Sequence, residues 1–212
     1  MRPVLIVGGA PRLSVDAVRY MTVRASGTTA VALGARLGRV GVRADLVLGL
    51  DAAPAESARR YGDRAALEQA LGEWIGSHPD GVVVMSAAIN DYVVEAVERV
   101  VGTLVHRHKP GDKVPSGADE VVIRLRPATK VIDQLRPRFG LTGPIVGFKY
   151  EADATVLASA TALLQRTGAA LVVANSLSGM VQALVDAHGV SSFSDRESLL
   201  DQLALRIAAL AD

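Results

Sequence analysis

No cysteine occurs among the 212 residues. Disulfides, thiolate chemistry and cysteine-ligated metal sites are therefore excluded. An excess of one charge is also lacking, with 23 basic against 22 acidic residues and a formal net charge of +1. Such a balance offers neither a basic groove for nucleic acid nor an attraction to anionic membranes. No apolar run approaches the roughly 18 residues that span a bilayer. Met1-Arg2-Pro3 leads into a short apolar strand, which is not the pattern of a signal peptide. The expectation is a soluble, cytoplasmic protein that binds neither nucleic acid nor membrane. Lysine is scarce, limited to Lys109, Lys113, Lys130 and Lys149, so each lysine position is informative. The histidines, His78, His106, His108 and His188, show no zinc-type spacing beyond His106-x-His108. That pair sits in a polar stretch and reads as solvated, and no metal ligand is assigned. Without repeats, low-complexity tracts or linkers, the chain reads as one domain over residues 1–212, long enough for a large core.

What is present is organised around Val82 to Tyr92. Val82-Val83-Val84-Met85 is a β-branched apolar run of the kind buried on both faces of a parallel sheet. It gives way to Ser86, Ala87 and Ala88 and then to Asp91. Small residues at the carboxyl edge of an open α/β sheet let a flat ligand approach the backbone, and an acid there can hold a hydroxyl, an amine or a metal. The same residues also suit a strand ending in a solvated turn.

Pro3 to Val7 reads as the first strand, followed by Gly8-Gly9-Ala10, whose glycines permit close approach of a phosphate or make an ordinary turn. A G-x-G-x-x-G dinucleotide fingerprint is missing. Ser26-Gly27-Thr28 precedes a helix over Ala30 to Val40 and suits either an N-cap or an anion site. A strand over Arg43 to Leu48 and helical patterning from Pro54 to His78 complete the first half. Tyr92 to Gly117 carries Lys109, Pro110, Lys113, Pro115 and Gly117, and predicts a flap with no core of its own, ordered by a ligand or a partner subunit. A strand over Val121 to Arg126 and a short helix over Thr129 to Phe139 follow. The strand Ile145 to Tyr150 contains Gly147-Phe148-Lys149. The helix Ala154 to Thr167 has Asp153 as candidate cap and Gly168 as stop, and the strand Ala170 to Ala174 ends at Asn175. A short hairpin around His188-Gly189 precedes a last helix, Asp195 to Leu210, with Ser194 and Glu197 at capping-box spacing. Alternating strands and helices predict an α/β, doubly wound, mainly parallel sheet, with a flap insertion at about 92–126 and a C-terminal hairpin.

The strand ends, in order, resemble the phosphopantothenate–cysteine ligase family, in its free-standing form. That family carries G-G-T, then D-x-V-R-x-I-[ST]-N-x-S-[ST]-G, A-x-x-x-D-[YF], a K-I-x-S flap, G-F-K and V-A-N. The chain carries Gly8-Gly9-Ala10, Asp16-Ala17-Val18-Arg19 through Val23 to Ser26-Gly27, and Ala88-Ile89-Asn90-Asp91-Tyr92. It continues with Lys113-Val114-Pro115-Ser116, Gly147-Phe148-Lys149 and Val173-Ala174-Asn175. The resemblance implies a Rossmann-like homodimer acting on a small-molecule acid and amine, with CTP or ATP as co-substrate and Mg2+. A carboxylate attacks the α-phosphate to give an acyl-nucleotide and pyrophosphate, and an amine then displaces the nucleotide. The implied nucleotide-binding residues are Gly8, Gly9, Ala10, Ser26, Gly27, Ser86, Ala87, Ala88, Asp91, Phe148, Lys149 and Asn175. Lys113 and Asp91 are the implied catalytic residues, and Arg19 and Val23 the implied substrate contacts.

The chain departs from the pattern at Val23, where the family has asparagine, at Ala10 for threonine, and at Ala25 for serine. The acyl side is thus less well kept than the nucleotide side, which implies a different acid or amine, or a site that activates poorly. Two other readings stand beside the ligase. One is a nucleotide-binding homologue without ligase activity, favoured by Val23 and Ala10. The other is an NAD(P)-dependent oxidoreductase with Asp51 on a ribose, disfavoured by the missing fingerprint.

Overall fold

The computed structural model describes residues 1–109 and 111–212; Pro110, counted above within the insertion, lies outside the described residues. The strands are β1 (Val4–Gly8), β2 (Leu13–Ser14), β3 (Tyr20–Met21), β4 (Ala44–Gly49), β5 (Arg59–Tyr61), β6 (Val82–Met85), β7 (Tyr92–Val101), β8 (Leu104–His108), β9 (Glu120–Pro127), β10 (Ile145–Glu151), β11 (Leu171–Ser176), β12 (Gln182–Asp186) and β13 (Gly189–Ser192). The helices are α1 (Thr28–Arg39), α2 (Arg64–Ser77), α3 (Val131–Gln134), α4 (Val156–Thr167) and α5 (Arg196–Ala211).

The main sheet is eight-stranded in the order β13-β12-β11-β10-β6-β1-β4-β5. It is parallel from β11 to β5 and ends in the antiparallel β12–β13 hairpin. Side-chain alternation divides the core between its two faces. Leu5, Val7, Val83 and Ile145 pack with α2 and α4, whereas Val4, Ile6, Val84 and Val146 pack with α1 and α5. Burial of both faces explains the uninterrupted apolar runs of β1 and β6. The α/β, doubly wound expectation is met, including the C-terminal hairpin.

The insertion differs from its expectation. Strands β7, β8 and β9 form a three-stranded antiparallel arm in the order β8-β7-β9, with an irregularity between Val94 and Ala96. It shares a small core in which Val97 and Val114 pack with Val15, and Met21, Val94 and Ile123 close around them. The Pro, Gly and Lys content that suggested a broken flap belongs to the connection between β8 and β9, while β7 is a β-branched strand. His106 lies exposed on β8, as expected, but His108 is half-buried there.

Local boundaries also moved. Of the stretch Pro54 to His78, whose helical patterning is clearest over Ala65 to Ile75, the helix takes Arg64–Ser77 after the short strand β5, and Asp63 caps it by accepting from the Ala66 N–H at 2.8 Å. The segment Thr129 to Phe139 is helical only over α3. Asp153 does not cap α4; it accepts a hydrogen bond from Ser178 at 2.7 Å, and Thr155 holds the cap position. Gly168 does end α4, in the left-handed conformation. Asp195, rather than Ser194 with Glu197, caps α5 by accepting from the Ser198 N–H at 2.8 Å, and Glu197 pairs with Arg36 across to α1.

Candidate nucleotide site

From β1 the chain winds through β4 to β5 on one side of the sheet, and from β6 through β10 to β11 on the other. The carboxyl ends of β1 and β6 therefore flank the switch point, where open α/β sheets form a crevice. Ser86 fastens the loop after β6 to β1. Its N–H and Oγ both donate to the Val7 carbonyl, at 2.9 and 2.7 Å, and the Ala88 N–H donates to the Gly9 carbonyl at 2.9 Å.

Helix α1 points its N-terminus at the same edge. Gly27 occupies the cap position at φ 68, a conformation favouring glycine, and no side chain caps the first turn. Amides left open there attract an anion, aided by the helix dipole. A Cβ on Gly8 would stand 2.4 Å from the Ala30 Cβ, and one on Gly27 2.7 Å from the Ala52 Cβ. The Gly8-Gly9 loop, the start of α1 and the loop after β4 are thus in direct contact. Arg60 steadies the last of these by donating to the Gly49, Ala52 and Ala53 carbonyls at 3.1, 3.1 and 2.9 Å. The Ala53 N–H donates to the Ser26 carbonyl at 2.7 Å. The buried Tyr61 hydroxyl, whose pKa burial pushes up, donates to the Gly8 carbonyl at 2.8 Å.

Beside this cradle lies a cavity of about 350 Å3. Met85, Ile89, Ile132 and Leu163 give it apolar surface, with Val23 and Phe148 also in the lining. Asp91, Lys130, Lys149, Glu151 and Arg166 give it charge. Lys130 is paired with Asp91. Lys149 donates to Glu151 Oε1 at 3.0 Å, and the other carboxylate oxygen accepts from Ser159 at 2.6 Å. The Ser159 hydroxyl, and next the Lys149 ammonium, hold the Glu151 carboxyl below its usual range. Arg166 is drawn aside by Asp133 at 3.1 Å. A half-apolar cavity with two lysines in its lining and an open helix start alongside suits a flat, anionic ligand.

Of the residues expected at a site, Val23, Ser86, Ala87, Ala88, Asp91, Phe148 and Lys149 line this cavity. Gly8, Gly9, Ser26 and Gly27 build the adjoining cradle. Ala10 is buried with its backbone against Gly49. Asn175 stands in register with Tyr150 at the end of β11, and its buried Oδ1 has no partner among the described residues. Arg19 and Lys113 do not line the cavity. Arg19 grips Asp16, and Lys113 lies exposed in the loop between β8 and β9. Asp51 is held bidentately by Arg12, at 2.9 and 2.5 Å, so it is not free for a ribose. Lys130, Glu151, Ile132 and Arg166 were not expected in the lining. Only Lys130 carried a signal, the scarcity of lysine. Among the described residues no group of three or more His, Asp or Glu could hold a metal, and no helix is long and apolar enough to cross a membrane.

The sequence matches the family described as "DNA/pantothenate metabolism flavoprotein C-terminal domain" over residues 1–203. It is 30% identical over 184 residues to the coenzyme A biosynthesis bifunctional protein CoaBC of Thermococcus kodakarensis, covering 82% of this chain and 41% of that protein. The chain thus spans about two fifths of that relative's length. The structure resembles that of the DNA/pantothenate metabolism flavoprotein from Streptococcus pneumoniae, with a TM-score of 0.83, 20% identity and 99% of each chain covered. It also resembles a Cab2 variant in complex with phosphopantothenate-cysteine, with a TM-score of 0.74, 15% identity, and 98% and 85% of the chains covered.

Proposed function

Since the chain belongs to the DNA/pantothenate metabolism flavoprotein C-terminal domain family, we propose that it is a nucleotide-dependent carboxylate–amine ligase of coenzyme A biosynthesis. In this reading residues 1–212 act as one ligase unit in the cytoplasm, as a homodimer. The observation that carries it is the cavity at the switch point, where Ser86 to Ala88, Asp91, Lys130 and Lys149 meet beside the uncapped start of α1.

The nucleotide, CTP or ATP, places its base and sugar against Ala87, Ala88 and Phe148, and its phosphates toward Gly8, Gly9 and the Ser26-Gly27 turn. Ala10 and Asn175 complete the edges of that site. The acid's carboxylate oxygen attacks the α-phosphorus, the bond to the β-phosphate oxygen breaks, and pyrophosphate leaves from an acyl-nucleotide. The amine then attacks the acyl carbon, the nucleoside monophosphate departs and the amine loses a proton. Lys113, from its loop, with Lys130 and Lys149, balances charge that develops on the phosphates. Magnesium, which binds through one or two carboxylates plus phosphate oxygens, would be held by Asp91 and Glu151 once their paired lysines turn to the phosphates, and would supply further charge neutralisation. Val23 belongs to the acid side, where the family resemblance also put Arg19, although Arg19 is engaged by Asp16 and the Val114 carbonyl. Val23 in the lining gives that side an apolar surface, which supports an acid or amine different from phosphopantothenate and cysteine.

A pyrophosphate-release screen tests the reading, using CTP and ATP with phosphopantothenate, with and without cysteine. Release that requires the acid supports the ligase. Triphosphate binding without release under any pairing would instead support a nucleotide-binding homologue without ligase activity, a reading the family match does not favour.

A further inference from the structure

The loop that carries Lys113 is exposed from Gly111 to Gly117 except at one residue, Val114. The side chain of Val114 is 3% exposed and packs against Val15 and Val97. Its N–H donates to Asp16 Oδ2 at 3.1 Å, and its carbonyl accepts from Arg19 Nη2 at 2.8 Å. Both backbone groups of the residue after Lys113 are therefore held by one ion pair. That pair is itself tightly organised. Asp16 Oδ1 accepts from the Val18 and Arg19 N–H groups at 2.9 and 2.7 Å, and Oδ2 from Arg19 Nε and Nη2 at 2.9 and 2.5 Å. The Asp16 side chain is wholly buried, while that of Arg19 is half exposed. Arg19's hydrogen bonds keep the Asp16 carboxyl well below the usual carboxylate range, so the carboxylate persists at neutral pH.

We infer that Asp16 and Arg19 are positioning residues for nucleotidyl transfer, clamping the Val114 backbone so that Lys113 is presented from a fixed point rather than from a free loop. The inference rests on the ligase reading above, in which Lys113 balances phosphate charge. It gives Arg19 a role on the lysine loop in place of the direct substrate contact that the family resemblance implied. The clamp is built from the turn between β2 and β3, which leads on to Val23 and Ser26-Gly27, so a single turn ties the arm to the cradle loops. A lysine tethered one residue from a clamped backbone retains side-chain freedom but loses the backbone freedom that would spread its charge over a wide volume.

The test compares Arg19→Gln, Asp16→Asn and Lys113→Ala, singly and combined. It measures single-turnover pyrophosphate release with phosphopantothenate and CTP or ATP, triphosphate affinity by calorimetry, and amide exchange at Val114. Arg19→Gln is the safer variant for folding, since its side chain is half exposed. The expected result is a rate loss of about tenfold or more in Arg19→Gln and Asp16→Asn, with affinity within about twofold and no further loss on adding either to Lys113→Ala. Val114 amide exchange accelerates about tenfold or more in ligand-free Arg19→Gln. Rate losses that multiply with Lys113→Ala overturn the inference, since they mean that Arg19 and Asp16 act independently of the lysine. An unchanged rate in Lys113→Ala overturns the role given to the lysine. Unchanged Val114 exchange in Arg19→Gln overturns the clamp itself, whatever the activity.

Discussion

Gly8→Ala probes the seat of α1 on the sheet. The added Cβ would lie 2.4 Å from the Ala30 Cβ and 3.0 Å from the Leu48 Cδ2. Carbon atoms pack at about 3.5–4.0 Å, so the Ala30 contact must open by more than an ångström. Leu48 can turn its methyl aside, but Ala30 has no torsion to use, and it is fully buried at the start of α1. Helix α1 must therefore move, at the ~1–3 kcal/mol typical of overpacking. For a chain of this size that lowers Tm by roughly 2–12 °C, at about 2–4 °C per kcal/mol. The movement also carries the open amides of α1 away from the Gly9 loop. Triphosphate affinity is expected to fall about tenfold or more, equivalent to roughly 1.4 kcal/mol or above. Ala30→Gly removes the colliding methyl. Alone it destabilises by about 1–2 kcal/mol through lost burial and helix propensity. Combined with Gly8→Ala it is expected to show a favourable coupling of ~1–2 kcal/mol. Urea denaturation and calorimetry on the single and double variants measure both quantities. Wild-type stability and affinity in Gly8→Ala would refute the close seat of α1. Destabilisation without coupling to Ala30 would locate the collision elsewhere.

Val23→Asn introduces an amide into the cavity lining, and is expected to raise phosphopantothenoylcysteine formation by about tenfold, the rate equivalent of one hydrogen bond of ~1–2 kcal/mol; an already competent wild type that the change leaves untouched refutes the altered acyl site. Asp91→Ala leaves Lys130 without its partner and is expected to weaken magnesium-triphosphate binding in calorimetry, whereas unchanged affinity makes Asp91 a turn residue only. Glu151 has its carboxyl lowered by Ser159 and Lys149, so its contribution is present above the unfolded value near pH 4.3 and is lost as pH falls through the lower folded value. Glu151→Gln should therefore be less stable than wild type at pH 7, with the gap closing in denaturation curves recorded below about pH 4; a gap that widens toward low pH contradicts the Lys149–Glu151–Ser159 arrangement.

The main sheet was legible because its strands are buried on both faces, and such strands must be continuously apolar, as Val4 to Val7 and Val82 to Met85 are. Of the arm only β9 was legible, as the strand Val121 to Arg126; β7 and β8 were not, for the opposite reason. Its strands are partly exposed, so β7 mixes Glu95, Glu98 and Arg99 with valines, and the polar connection between β8 and β9 dominates the composition of the window. β5 was hidden because a three-residue strand at a sheet edge has little pattern of its own. At the site, residues at the carboxyl end of a buried strand could be placed: Ser86 to Ala88 after β6 and Phe148-Lys149 within β10 both reach the cavity. Lys130, Ile132 and Arg166 arrive from short or distant elements, α3 and the end of α4, and no local spacing relates them to β6. Arg19 shows a different limit. Its motif was visible, but only the fold brings Val114, far along the chain, against the Asp16–Arg19 pair.

The charges of the cavity explain why carboxylates and lysines occur there together. Lys130 with Asp91 and Lys149 with Glu151 are each close to neutral as pairs, and both pairs are partly exposed. Such exposed pairs contribute little to stability, about 0–1 kcal/mol, so exchanging partners within them costs little. In the proposed ligase reading, an entering triphosphate would take the lysines as counter-charges, and the released carboxylates would face the divalent cation that accompanies it. No charge would then be stranded in the half-apolar cavity before or after binding, which avoids the penalty of a buried unpaired ion. A site with the lysines alone would bind phosphate more strongly but would hold pyrophosphate too, slowing its release after transfer. In that reading the lysine–carboxylate pairs would give the phosphates a competitor already in place, and the apolar surface of Ile132, Leu163 and Val23 would leave specificity to the part of the ligand that carries no charge.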